Sequence, residues 1–257
     1  MKLLTLPILF VLSSCAFQRL AVTQLDNLIE IEMGSKLDLY RTQKKILEGD
    51  VTQLLESQKP HIDKLVALVK KIDPAKTDTF PALWSEIAVE YRRIAYSFSG
   101  VLAKHLVTLD PKQRTHFFSK MEKENSEILA RSEKQSVENS AKRVATFFGE
   151  STPAQEKVLE RNLPEIKRRT LARLARRQTL HQKLKDVLSS SAFAADKERT
   201  VLAAFENYQI DAGLDQDSVI KMIQDLCREL TPEQIQTFNE KRKEALGLIE
   251  LYKNTEF

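Results

Sequence analysis

Residues 230–234 read Leu230-Thr231-Pro232-Glu233-Gln234, and this frame is the chemistry of a helix start. Threonine at the N-cap accepts a backbone N–H from the first turn. Proline at the next position has no N–H to leave unpaired. Glutamine three residues after the cap reaches back to the N–H of the cap itself, which closes a capping box. The frame recurs at Leu109-Asp110-Pro111-Lys112-Gln113 and at Ser151-Thr152-Pro153-Ala154-Gln155. A degenerate copy without proline stands at Leu39-Tyr40-Arg41-Thr42-Gln43. Asp110, Pro111, Gln113, Thr152, Pro153, Gln155, Thr231, Pro232 and Gln234 are therefore read as structural capping residues.

Apolar residues around these starts recur at helical spacing. One set is Leu47, Val51, Leu54, Leu55, Ile62, Leu65, Val69 and Ile72; a second is Leu83, Ile87, Tyr91, Ile94, Phe98, Val101 and Leu102. A third is Ile235, Phe238, Ala245, Ile249 and Tyr252. Steps of three, four and seven place each set on one helix face. Six glycines and eight prolines in 257 residues are too few breakers for a many-turned β fold. The expected fold is all-α: an elongated bundle of seven to eight antiparallel helices.

Helix boundaries follow from turn chemistry. Asp73-Pro74 and Asp78-Thr79-Phe80-Pro81 separate the second helix from the third, and Asp110-Pro111 opens a fourth that runs as far as Phe148 before Gly149. Within that span, residues 131–139 hold almost nothing apolar, so the stretch either projects into solvent or conceals a break. Ser189, Ser190 and Ser191 close the fifth helix, and Gly213 and Asp215 separate two shorter ones. At a common offset of 121 residues, Phe117 matches Phe238, Lys120 matches Lys241 and Ile128 matches Ile249. These matches suggest duplication of a helical-hairpin unit.

The N-terminus carries an address. Met1-Lys2 precedes an apolar run from Leu3 to Leu12, then Ser13-Ser14-Cys15, the order of a secretory signal peptide. The run is about ten residues, short of the roughly 20 a spanning helix needs. Leu12-Ser13-Ser14-Cys15 resembles a bacterial lipobox. That resemblance implies cleavage before Cys15 and acylation of the new N-terminal cysteine, palmitate included, with more than the single chain that anchors only marginally. Ala16, where an aspartate favours inner-membrane retention in such proteins, implies the outer membrane. The expected organisation is a signal peptide over 1–14, a lipidated tether with a first amphipathic helix over 15–36, and a helical domain over 37–257.

Two further resemblances bear on function. The L-[DT]-P-x-Q frame at 109–113 and 230–234 resembles the LTxxQ motif of small periplasmic chaperones of the Spy and CpxP type, with Ser151 departing from the leucine. Those proteins are all-helical, and Spy members cradle unfolded clients. The whole mature chain resembles an uncharacterised family of Gram-negative lipoproteins with a domain of unknown function. Its lipobox and repeated helix starts are joined here by Arg143-Val144-Ala145-Thr146-Phe147-Phe148-Gly149 and Arg173-Leu174-Ala175-Arg176-Arg177-Gln178. That resemblance implies an all-α periplasmic lipoprotein and brings no catalytic residues.

Residues 157–185 hold ten Lys/Arg and only two acids, Glu160 and Glu165. On a helical projection Arg169, Arg173, Arg176 and Arg177 flank an apolar stripe of Leu163, Ile166, Leu174, Leu184 and Leu188. One reading is a basic surface for anionic lipid headgroups or acidic polypeptide. The other is a flank whose arginine stems cover the core edge and pair with neighbouring carboxylates. The net charge of +4 is too small to imply a nucleic-acid partner. His61, His105, His116 and His181 fall into no metal-ligand spacing. With Cys15 acylated, Cys227 is left alone and reads as a buried small hydrophobe. Neither a nucleophile elbow nor a phosphate-cradling glycine loop occurs. The sequence thus predicts a non-enzymatic lipoprotein without metal or cofactor, chaperone-like or protein-binding in the cell envelope. Its partners would be the membrane and non-native exported chains; the alternative is a scaffold docking one folded envelope protein.

Overall fold

The computed structural model describes residues 24–213 and 216–255. Among them are nine α-helices and one 3-10 turn, and no strand. The helices are α1 (Leu25–Leu37), α2 (Arg41–Lys70), α3 (Phe80–Leu106), α4 (Pro111–Glu133), α5 (Val137–Phe148), α6 (Pro153–Ser189), α7 (Ala194–Gly213), α8 (Asp217–Arg228) and α9 (Pro232–Lys253), with the 3-10 turn at Thr77–Thr79. The molecule is an all-α bundle.

The expected helix over 111–148 is two helices, and that break accounts for the ninth. The polar stretch holds this break and caps and bridges it, with Arg131, Glu133, Lys134, Glu138 and Asn139 exposed. Ser136 is the N-cap of α5, its Oγ accepting from the Asn139 N–H at 3.2 Å. The Asn139 side chain donates to the Lys134 carbonyl at 2.8 Å, and buried Gln135 donates to the Ser140 hydroxyl at 2.8 Å. Gly149 follows α5 at φ 81, a backbone conformation that suits glycine.

The main core gathers residues from seven helices. Ile29, Met33 and Leu37 of α1 meet Leu47, Val51 and Leu55 of α2, Phe117 and Met121 of α4, Leu180, Leu184 and Leu188 of α6, and Phe205 of α7, with further residues from α3 and α9. Helix α1 is therefore an integral part of the bundle, and a domain boundary at residues 36/37 falls inside it. A second cluster packs Phe80 against Ile220 and Cys227, with Trp84, Phe148 and Leu230 at its edge. A third joins Val158 and Leu159 of α6 to Leu226 of α8, with Val137 and Val144 of α5 alongside. Helix α6, roughly 55 Å long at 1.5 Å per residue, belongs to the third cluster near its start and to the main core near its end.

The helix packing repeats over a unit larger than a hairpin. Helix α1 packs on α2 and α4, as α5 packs on α6 and α9. Helix α2 packs on α3, as α6 packs on α7 and α8. Across the two units α4 packs on α6 and, reciprocally, α9 packs on α2, the exchange seen when two copies of one surface meet. The first unit runs from α1 to α4 and the second from α5 to α9, with α3 standing where the second unit has α7 and α8.

Candidate functional site

The four helix starts meet in two pairs. In the second unit, Thr152 and Thr231 accept the Gln155 and Gln234 N–H groups, each at 3.3 Å, and each glutamine Oε1 accepts back from its own cap, at 3.0 and 3.1 Å. The two side chains then bond to each other: Gln155 Nε2 donates to Gln234 Oε1 at 2.9 Å, and Gln234 Nε2 to Gln155 Oε1 at 3.0 Å. Each amide also reaches a carbonyl before the opposite start, Gln155 to Glu229 at 3.3 Å and Gln234 to Glu150 at 2.6 Å.

The first unit repeats the glutamine pairing. Gln43 and Gln113 exchange bonds at 3.3 and 2.7 Å, and reach the Thr108 and Asp38 carbonyls at 3.5 and 2.8 Å. The degenerate copy differs in its cap. Tyr40 has no short acceptor for the first turn; its hydroxyl crosses to the partner cap and donates to Asp110 Oδ2 at 2.6 Å. That bond, followed by the Gln113 N–H on the other oxygen, holds the Asp110 carboxyl below its ordinary value. Gln113 and Gln155 are fully buried and Gln234 is 5 % exposed. Buried amides so completely satisfied fix which helix starts adjoin.

The four arginines of α6 do not form one exposed face. Arg173 is exposed, Arg169 and Arg176 are half-buried, and Arg177 is buried. Arg177 points into the core and pairs with Glu124 of α4, which Lys36 of α1 also holds at 3.0 Å. Elsewhere along α6, Arg161 pairs with Asp225 at 2.8 Å and Lys185 with Glu122 at 2.8 Å. The Arg168 guanidinium grips Glu165 through two bonds of 2.7 Å and, with Ser218, holds that carboxyl down to about 2. Much of the basic stretch is thus spent on neighbouring carboxylates. The exposed remainder includes Arg173, with Leu171 two residues before it 47 % exposed.

The histidines are dispersed. His61 bonds Glu90 at 2.9 Å, His105 bonds Asp50 at 3.0 Å, His116 meets the Ser35 carbonyl at 3.0 Å, and His181 stacks on Phe118 at 5.1 Å. Among the described residues no three His, Cys, Asp or Glu side chains gather as a metal site. Cys227 is buried, and burial pushes its thiol up to about 11, away from thiolate chemistry at neutral pH. Trp84 donates to Gln216 at 3.0 Å at the edge of the second cluster, while Tyr96 is exposed. Cys15 lies outside the described residues, and among those described no helix is long and apolar enough to cross a membrane.

Sequence reasoning did not single out Lys36, Glu124 or the cavity they border. That cavity, about 70 Å³, lies beneath α1, α4 and α6 and is walled by residues such as Met33, Phe98, Met121 and Phe205. No family model, curated protein or solved structure matches this chain.

Proposed function

We propose that this chain is a lipid-anchored protein of the bacterial cell envelope that binds non-native exported chains and performs no chemistry of its own. The signal-like N-terminus and Cys15 support a lipid anchor, and Ala16 after that cysteine supports the periplasmic side of the outer membrane. One observation carries the binding role: large apolar side chains stand exposed on α1, α2 and α6 and in the loop before α7, on a bundle whose helix starts are locked. Ile31 is 68 % exposed, Ile46 56 %, Leu171 47 % and Phe193 84 %. Separate apolar contacts on different elements suit weak association with many unfolded segments better than one fitted partner. Arg173, exposed near Leu171, adds attraction for acidic segments that salt would weaken.

The test is suppression of aggregation. The full chain in lipid nanodiscs, at stoichiometric amounts, should slow light scattering from a chemically denatured exported protein on dilution. Replacing Ile31, Ile46, Leu171 and Phe193 together by serine should remove most of the effect while leaving the helical circular dichroism unchanged. Equal protection by that variant would reject the reading.

A further inference from the structure

We propose that the cavity beneath α1, α4 and α6 is a binding site for a small carboxylate bearing a short alkyl chain. Its walls are almost wholly apolar: Met33, Phe98, Phe117, Met121 and Phe205 are among them. Its charged margin is not balanced. Lys36, Lys120 and Arg177 border it against Glu124, and with Glu32 pairing Lys36 from outside the cavity at 3.1 Å the margin still carries one positive charge in excess.

Arg177 is the reason to expect an anion. Its side chain is 7 % exposed, and one terminal nitrogen pairs with Glu124. Its Nε is buried and has no hydrogen-bond partner. Glu124 also serves Lys36, at 3.0 Å. A buried guanidinium with an unmet donor, sharing its counter-ion with a second cation, is costly as it stands. A ligand carboxylate at this margin supplies a charge-assisted bond to that donor and reduces the excess positive charge. Lys120, exposed on α4, adds attraction at the same margin without being buried itself.

The cavity sets the size of the tail. One water needs about 10–15 Å³ by this measure, so 70 Å³ takes roughly five water-sized groups. A chain of about five carbons fits such a space, and the thioethers of Met33 and Met121 can adjust around it. The ligand class is therefore a short fatty acid.

Methionine methyl groups report on this directly. Met33 and Met121 line the cavity, whereas Met222 sits with the third core cluster and serves as a control. The full chain in nanodiscs, labelled at its methionine methyls, is titrated with hexanoate, hexanol and hexylammonium at matched free concentrations. The expected result is saturable movement of the Met33 and Met121 signals with hexanoate and none at Met222, with hexanol at least tenfold weaker and hexylammonium without effect. Lys120→Gln, at an exposed position, should weaken hexanoate several-fold while leaving hexanol unchanged. Arg177→Met should abolish the preference for the carboxylate. Still signals at Met33 and Met121, equal affinity for hexanol, or a Lys120→Gln variant indistinguishable from the parent would overturn the proposal.

Discussion

Gln155 and Gln234 bond to each other through both ends of their amides, at 2.9 and 3.0 Å, although 79 residues separate them. Each also closes its own capping box and reaches a carbonyl before the opposite helix. One glutamine thus secures its own helix start and the position of its partner's.

This double duty predicts coupling. Gln155→Leu removes the partner of the Thr152 N–H and of the Glu229 carbonyl and takes one bond from each amide end of Gln234, which keep only the Glu150 carbonyl and the Thr231 N–H. A loss of about 2–4 kcal/mol is expected from buried groups left unpaired. Adding Gln234→Leu should cost less than the sum of the two single changes, with a coupling of about 1–2 kcal/mol. Urea denaturation of the parent, both single variants and the double variant measures this, and strict additivity would count against a joint role.

The caps themselves are predicted to be worth less. Thr231→Ala removes one acceptor for the Gln234 N–H, at 3.3 Å, and should cost about 1 kcal/mol. An unchanged melting temperature in that variant would contradict a cap that contributes to stability.

Ser151 offers a change in the opposite direction. It stands where the other starts have Leu39, Leu109 and Leu230, two of them 5 % and 3 % exposed. Its hydroxyl is buried with no hydrogen-bond partner. Ser151→Ala should raise stability by up to about 1 kcal/mol, because the unmet polar group is gone. A lower denaturation midpoint for this variant would show that the hydroxyl has a partner in solution.

Stability should also depend on pH between neutral and mildly acidic values. His105 is drawn below its ordinary 6.5 mainly by burial, with Lys104 adding to this and Asp50 opposing. His181 is drawn down by burial and then by Lys185 and Arg177, with Glu122 opposing. A depressed histidine binds fewer protons folded than unfolded, so its contribution is complete above 6.5 and falls as pH drops through that value. The urea midpoint should be lower at pH 5.5 than at pH 7.5, and His181→Phe should reduce the difference. An equal or higher midpoint at pH 5.5 would contradict this.

Much of the fold is legible in the sequence because helix starts are local chemistry. Cap, proline and glutamine lie within four residues, and Thr152, Thr231 and Asp110 all cap as their frames predict. What those glutamines do across the bundle is not local, since Gln43 meets Gln113 only after the intervening helices fold back. The break after α4 had a signal in Ser136 and Asn139, a cap followed by polar partners, that the low apolar content around it obscured. Arg177 is the instructive case. Leu174, Arg177, His181, Leu184 and Leu188 advance by alternating steps of three and four, which places the arginine on the buried stripe. All five are buried. Its charge suggested a surface, but its spacing pointed to the core, where Glu124 makes burial tolerable.

The most direct test of the functional account is crosslinking in living cells. The full-length chain would carry a photo-reactive residue at position 31, 46 or 171 in its native envelope, and captured proteins would be identified by mass spectrometry. The account predicts many exported proteins at low individual yield, with capture lost when Cys15→Ser removes the anchor. A single folded envelope protein captured in stoichiometric amount from all three positions would contradict it and establish a dedicated scaffold.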